Sequence, residues 1–430
     1  MNIVRASDLQ ALARLYAGGW ESDSRTVERV AQIVADVRMN GDVALLDLTR
    51  QLDAPDFTLD RLRVELPSLD RARSLVPADV ARALELAKER VHAFHERQRP
   101  QDVRVTEDDG TISAFLNRPL RRIGAYVPGG SAPLASTVVM TAVTARAAGV
   151  EQVVVATPPS RNGTINDAIL FACRLCEVDE VYAAGGAQAI AALAYGTESI
   201  ARVDKIVGPG NVWVTEAKRQ VFGVCGIDSL AGPSEVLVVA DGGARAEYVA
   251  GELLAQAEHD PMARVAAVST DRRLLETVGA LLDGAFARET GRWEIIESVL
   301  AKNTYLIQAQ DEHEILDVIE RFAPEHLALQ VADPWPLVER VRHAGAIFVG
   351  DHTPVACGDY VAGSNHVLPT SGAARFSSGL RTSDFMRSMS VIANSERRMR
   401  SDAPLLAALA DFEQLPAHAR TARMRAEERV

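Results

Sequence analysis

The stretch RIGAYVPGGSAPLASTVVMTAVTARAAGVEQVVVATPP (122–159) decides how the whole chain is to be read. RIGAYV (122–127) looks like a strand, PLASTVVMTAVTARAAG like a helix that ends at Gly149, and QVVVATPP like a second strand. EVYAAGG and KIVGPGN follow as short apolar runs separated by helical patterns. This β-α-β-α-β rhythm is the mark of a parallel sheet covered on both faces, because each parallel step needs a crossover, usually a helix.

A second alternation begins at EVLVVAD (235–241) and continues through ARVAAVST, TYLIQA, LALQV and AIFVG. The predicted class is α/β, with two doubly wound, incomplete Rossmann-like domains. Between residues 23 and 98 the pattern is helical, with ERVAQIVADVRMNGDVALLDLTRQLD and ADVARALELAKERVHAFHERQ as amphipathic segments. Helical patterning returns after about 380, and AHARTARMRAEERV reads as a charged C-terminal arm. The predicted division is a helical N-terminal segment (1–22), one discontinuous α/β domain (23–121 with 235–380), a second α/β domain (122–234) and a helical arm (381–430).

A chain of 430 residues exceeds one ordinary core, in keeping with two domains. Its 47% hydrophobic and 24% charged content is that of a globular protein. A net charge of −12 argues against a nucleic-acid or anionic-membrane partner, either of which wants a basic face. The N-terminus lacks the apolar core of a signal peptide and no window suits a membrane helix, so the expected compartment is the cytoplasm. The four cysteines are too few for a disulfide scaffold. Cys173 and Cys176 form a CxxC inside NDAILFACRLCEV, which reads as one buried helix with packing cysteines rather than a redox or metal pair.

Three Gly-rich turns follow predicted strands: VPGGSA (127–132), AAGGAQA (183–189) and VGPGNVWV (207–214). Open backbone amides beside a helix start suit a phosphate, and such turns are where doubly wound sheets bind ligands. None carries the full GxGxxG fingerprint, and a tight turn without a ligand accounts equally well for any one of them.

Two histidine patterns bear on metal binding. His92 and His95 sit three apart on a helix without a companion carboxylate, which reads as a solvated face. In AGELLAQAEHDP (250–261) the helix is predicted to stop near Asp260-Pro261, leaving Gln256 and His259 on one face of its final turn. The negative end of a helix favours a cation there, but two neutral ligands need an anionic partner. CGDYVAGSNHVLPT (357–370) offers Asp359 and His366. A metal site and a hydrogen-bonded helix terminus both remain open.

FAPEHLALQ (322–330) places Glu325 and His326 side by side after Pro324. Pro324 is predicted to open a helix, which would put both residues in its first turn. There the dipole would stabilise the carboxylate and keep the imidazole neutral, the state a general base requires. The alternative is a helix start in which His326 is incidental.

Together YVPGGSA, GGAQAIAALAYGTESI, KIVGPGN, GIDSLAGPSEVLV, QAEHDP, FAPEHLAL, GDYVAGSNHVLPT and PAHARTARMR resemble the histidinol dehydrogenase family, in order and over nearly the whole chain. The resemblance implies a zinc-dependent NAD oxidoreductase that takes an amino alcohol to the aldehyde and then to the acid, using two NAD molecules in turn. It implies one Zn2+ held by Gln256, His259, Asp359 and His418, acid/base roles for Glu325 and His326, and NAD contacts at Tyr126, Gln188 and Asn211. It places substrate contacts at Ser234, His366 and Glu413, and also at His326 and the four metal positions, with zinc holding the substrate as a template. It makes 122–234 the NAD domain and the other the zinc and catalytic domain. It also implies a homodimer whose C-terminal arms are exchanged, so that Glu413 and His418 serve the partner's site. Two departures stand beside it: SAPLAST replaces a usual Pro-Ser and Pro-Ala, and Gln414 stands where Gly is usual. The first leans toward relatives that oxidise other primary alcohols, such as sulfopropanediol dehydrogenases; Ser234 and Glu413 favour histidinol. A zinc hydrolase using Glu325 as base, or a non-catalytic relative, are the other classes to separate.

Overall fold

The computed structural model of the chain describes all residues except 20, 130–132, 285–287, 289–290 and 428–430. The chain divides into two compact units, Met1–Gln98 with Leu120–Phe385, and Arg99–Pro119 with Met386–Val430.

The first unit carries two parallel sheets. In one, β4 (Arg122–Tyr126), β5 (Gln152–Thr157), β6 (Glu180–Ala183), β7 (Lys205–Val207) and β8 (Gly226–Ile227) lie in the order β6-β5-β4-β7-β8. In the other, β9 (Glu235–Ala240), β10 (Arg264–Ser269), β11 (Thr304–Gln308), β12 (His326–Gln330) and β13 (Ala346–Val349) lie in the order β11-β10-β9-β12-β13. Both wind outward from a central first strand, cross back and continue on its other side, as the two alternations predict. The strands are buried on both faces. Along β9, Val236 and Val238 enter one core cluster while Leu237 and Val239 enter the other.

Four crossover helices start where a short polar side chain accepts from free backbone amides: Asn166, Asn211, Asp271 and Asp311. The helix behind β4 runs from Ala135 to Ala148 and closes on Gly149 in the left-handed region, as predicted. Its middle, Val139–Val143, is a π turn. Asn365 fills that irregularity, donating to Met140 O at 2.9 Å and Thr144 Oγ1 at 3.1 Å. The loop bearing Asp359 and His366 is thereby tied to this helix.

Four predictions need correction. Ile3–Arg5 is a strand, β1, pairing parallel with β11, so the N-terminal segment is part of a sheet. The arm is not helical throughout: after a single 3-10 turn at Thr382–Phe385, Met386–Ala393 is strand β14, in an antiparallel sheet with β3 (Ile112–Pro119) and β2 (Val103–Thr106). That sheet and the helices Glu396–Phe412 and Pro416–Ala426 belong to the second unit, which draws 99–119 away from the first. His95 is buried against Gln98 rather than solvated.

The last concerns FAPEHLALQ. No helix follows Pro324; the preceding helix, Glu312–Phe322, ends on Ala323 in the left-handed region, with φ 48°. Pro324 stands just beyond that terminus, where proline stops a helix rather than starts one. Apolar pairing with β9 and β13 on both sides then makes His326 the first residue of β12.

Candidate active site

Glu325 and His326 meet at the amino end of β12, and one residue of the neighbouring strand holds both. The Glu235 backbone N–H donates to Glu325 Oε2 at 2.9 Å, and His326 Nδ1 lies 2.9 Å from the Glu235 carbonyl. A carbonyl only accepts, so Nδ1 carries the proton and Nε2 keeps its lone pair. Burial pushes the His326 imidazole down to about 4, so the ring is neutral at ordinary pH. The neutral state follows from desolvation, not from a helix dipole. For Glu325 the change of setting reverses the sign. Burial, reinforced by the charges of Glu235 and Asp359, holds its carboxyl well above the usual carboxylate range despite the Glu235 N–H bond. A buried carboxyl of raised basicity suits proton transfer near neutrality.

Asp359 and His366 approach the pair from the loop after β13. Asp359 Oδ1 and His366 Nδ1 are 3.6 Å apart, and His366 Nε2 is buried without a hydrogen-bond partner. Burial would raise the Asp359 carboxyl, but the imidazoles of His366, His326 and His259 outweigh it, and its affinity for a proton is lowered. Gln256 is buried in the last turn of helix Ala246–Ala257. His259 lies past the end of that helix, not in its final turn, and is exposed. One turn before Gln256, Glu252 accepts from Val355 N–H at 3.0 Å and so braces the short helix Ala356–Tyr360 that carries Asp359. Its spacing from Gln256 was the available signal for this residue. Ser234 immediately precedes β9, where its carbonyl accepts from Arg264 N–H at 3.0 Å.

An amide, an imidazole and a carboxylate kept ionised by its neighbours make a donor set suited to zinc. Gln256, His259 and Asp359 supply these, and the unpartnered His366 Nε2 adds a buried nitrogen beside them. Among the described residues no three His, Cys, Asp or Glu side chains converge to hold a metal. His418 and Glu413 belong to the second compact unit, where both are exposed. Gln414 beside them has φ 60°, a conformation that explains a glycine at that place.

A cavity of about 880 Å³ is lined by Tyr126, Gly129, Gln188 and Asn211 and also by His259 and Tyr360. It joins the three Gly-rich turns to the amino end of the other sheet. Tyr126 Oη accepts from Gly186 N–H at 3.2 Å, and burial pushes its hydroxyl up to about 12. Gln188 Nε2 donates to Asp53 Oδ2 at 3.3 Å, while Gln188 Oε1 is buried with no partner, an acceptor waiting for a ligand's N–H or O–H. Asn211 Oδ1 accepts from Trp213 N–H at 3.1 Å and Val214 N–H at 3.2 Å, capping the helix after β7. Gly208 has φ 109°, and a Cβ there would collide with the Tyr126 carbonyl. A buried Lys218–Asp228 ion pair grips this glycine: Asp228 Oδ2 accepts its N–H at 2.7 Å and Lys218 Nζ donates to its carbonyl at 3.0 Å. Residues 130–132 of the first turn lie outside the described residues.

Sequence patterns gave no hint of Asp53, Lys218, Asp228, Glu235 or Arg264, whose partners are remote in sequence or reached through the backbone.

Residues 19–426 match the family model for histidinol dehydrogenase. The chain is 46% identical over 409 residues to a histidinol dehydrogenase of Pseudomonas putida, covering 94% of this chain and 92% of that one. It is 45% identical over 396 residues to that of a Synechococcus species, covering 92% and 91%. The crystal structure of histidinol dehydrogenase from Elizabethkingia anophelis matches with a TM-score of 0.92 at 32% identity, covering 99% of this chain and 98% of that one.

Proposed function

This chain belongs to the histidinol dehydrogenase family, and from that premise we propose that it oxidises L-histidinol through L-histidinal to L-histidine, the closing step of histidine biosynthesis. The observation that carries the chemistry is the backbone of Glu235, whose N–H and carbonyl hold Glu325 and His326 together and leave His326 Nε2 as a free base. Bound NAD would accept hydride in each of two oxidations, and bound zinc would template the substrate through its amine and imidazole nitrogens. His326 Nε2 takes the hydroxyl proton as the carbinol hydrogen leaves as hydride. Glu325 then takes a proton from the water that adds to the aldehyde, giving the hydrate whose oxidation yields the acid. Tyr126, Gln188 and Asn211 would hold the dinucleotide, with the unpartnered Gln188 Oε1 as one acceptor. Gln256, His259 and Asp359 would hold the metal, and Ser234 and His366 would contact the substrate.

The fourth metal ligand, His418, and the substrate contact Glu413 would come from the partner subunit of a homodimer. The exposed positions of both residues support this. The test is NADH formation from histidinol, expected at two NADH per substrate and abolished by chelation until zinc returns. One NADH per substrate, or full turnover in metal-free protein, would overturn it. Co-refolding His326→Ala with His418→Ala should recover about a quarter of wild-type activity, since half the dimers are mixed and each of those has one intact site. Background activity would place His418 in its own chain's site.

A further inference from the structure

Glu235 is the first residue of β9, in a parallel core, and its carboxylate is fully buried. On one side, β10 pairs with β9 from Arg264 opposite Glu235. On the other, the ladder to β12 starts only at Val236 opposite His326. The backbone N–H and carbonyl of Glu235 therefore have no strand partner on that side among the described residues. They are spent on the side chains of Glu325 and His326 instead.

The Glu235 side chain is fixed with equal care. Oε1 pairs with the Arg264 guanidinium and accepts from Ser371 N–H at 3.2 Å. Arg264 also donates to the carbonyls of Leu15 at 3.1 Å and Ala17 at 2.6 Å. Oε2 is buried with no hydrogen-bond partner among the described residues. Burying an ion pair with an unsatisfied oxygen is expensive, and apolar residues of similar volume often serve stability as well or better. Stability alone gives little reason for a carboxylate here.

We propose that Glu235, locked by Arg264, is the positioning residue of the Glu325–His326 pair: its side chain fixes the Cα between the two peptide groups, one setting the orientation of the carboxyl and the other the tautomer of the imidazole. A ring held as the Nδ1–H tautomer presents Nε2 to the substrate; a backbone that rocks at Glu235 lets the proton sit on either nitrogen and lets Glu325 turn away. This rests on the oxidation proposed above, and its test has a readout independent of turnover.

The experiment compares the wild type with Glu235→Gln, Arg264→Lys and the double variant Glu235→Gln with Arg264→Met, which removes both charges and leaves none unpaired. The expected result is a kcat lowered about 10- to 100-fold for both the alcohol and the aldehyde, the cost of loosening a supporting contact or displacing a reacting group by an ångström. KM for histidinol and the Kd for NAD should stay within about twofold, because the groups argued to hold them are untouched. NMR of protein with isotope-labelled histidine, the His326 signal being assigned from its loss in His326→Gln, should show one tautomer in the wild type and a mixture in the variants. A folded double variant with near-wild-type kcat and a single His326 tautomer would overturn the proposal and leave the pair a strand anchor. If the wild type does not oxidise histidinol, the proposed reaction fails while the tautomer comparison still decides the positioning role. If Glu235→Gln does not fold, Arg264→Lys, which keeps the charge but loses the guanidinium fork, decides it by the same two readouts.

Discussion

The two parallel sheets wind in the same order about their first strands, yet the candidate site residues sit at opposite edges of them. In the β4–β8 sheet the cavity meets the carboxyl ends of the strands: Tyr126 closes β4, Gly186 follows β6 and Asn211 follows β7. In the β9–β13 sheet the active residues stand at the amino ends: Glu235 opens β9 and His326 opens β12. The carboxyl edge is where crossover helices begin, so it offers backbone N–H groups and positive dipole ends, good for a dinucleotide's phosphates. The amino edge is where those helices finish. It offers carbonyls and negative ends, so anything held there must be a cation or be held by side chains. Gln256, in the last turn of helix Ala246–Ala257, stands at such an end. On the proposed function, one topology would supply both an anion-binding edge and a cation-binding edge. A buried ion pair stiffens each: Lys218–Asp228 around Gly208, and Arg264–Glu235 beside the catalytic pair.

The sharpest way to break this division is to disable one edge and measure the other. Glu325→Gln keeps the shape of the side chain but removes the base. Aldehyde oxidation should fall ~10²–10⁴-fold, the usual worth of a positioned base, and hydride transfer from the alcohol should fall less. NAD affinity by calorimetry should not change. Stopped-flow traces in which both oxidations slow equally would refute the division of labour, and a weakened NAD complex would refute the independence of the edges.

How much of this the chain discloses differs between the edges for physical reasons. Gly-rich turns after apolar runs are local, so Tyr126, Gln188 and Asn211 are legible where the structure brings them to one cavity. The amino edge is built from contacts across strands, and its main error came from one proline. Pro324 suits both the start of a helix and the place just past the end of one. What separates the two is Ala323 at φ 48°, and alanine carries no sign of a left-handed conformation as glycine or asparagine would. Strand β1 has three residues, too few for any periodicity, and β14 sits against strong helical patterns that mask it. His418 as a proposed zinc ligand rests only on family resemblance, since no spacing ties it to Gln256.

A second, smaller effect sharpens the comparison from the other edge. Lys218→Met leaves the Asp228 carboxylate buried without its partner, which costs about 3–5 kcal/mol of stability. It also frees the Gly208 carbonyl and loosens the turn after β7. In protein kept folded by low temperature, NAD should bind about 10- to 100-fold more weakly while kcat at saturating NAD changes little. Unchanged NAD affinity in a folded variant would show that the ion pair serves the fold alone.

The smallest effect concerns Asp53, a half-buried carboxyl lining the cavity beside Gln188. Burial pushes Asp53 up to about 6, and burial also raises Glu325, the proposed base. For an acid whose folded pKa lies above its ordinary value of 3.8, the proton favours the folded state. Stability therefore falls as pH rises from about 4 to about 6 and then levels off. A rise of that size corresponds to about 3 kcal/mol for a fully enclosed group, but this side chain is partly open to solvent, so about 1–2 kcal/mol is expected. Asp53→Asn keeps an amide oxygen in place and removes the titration. It should match the wild type in urea midpoint near pH 4 and exceed it by that margin at pH 8. A gap of the same size at both pH values would mean that the substitution acts through packing, and Asp53 would lose its place as the titrating group of the dinucleotide side.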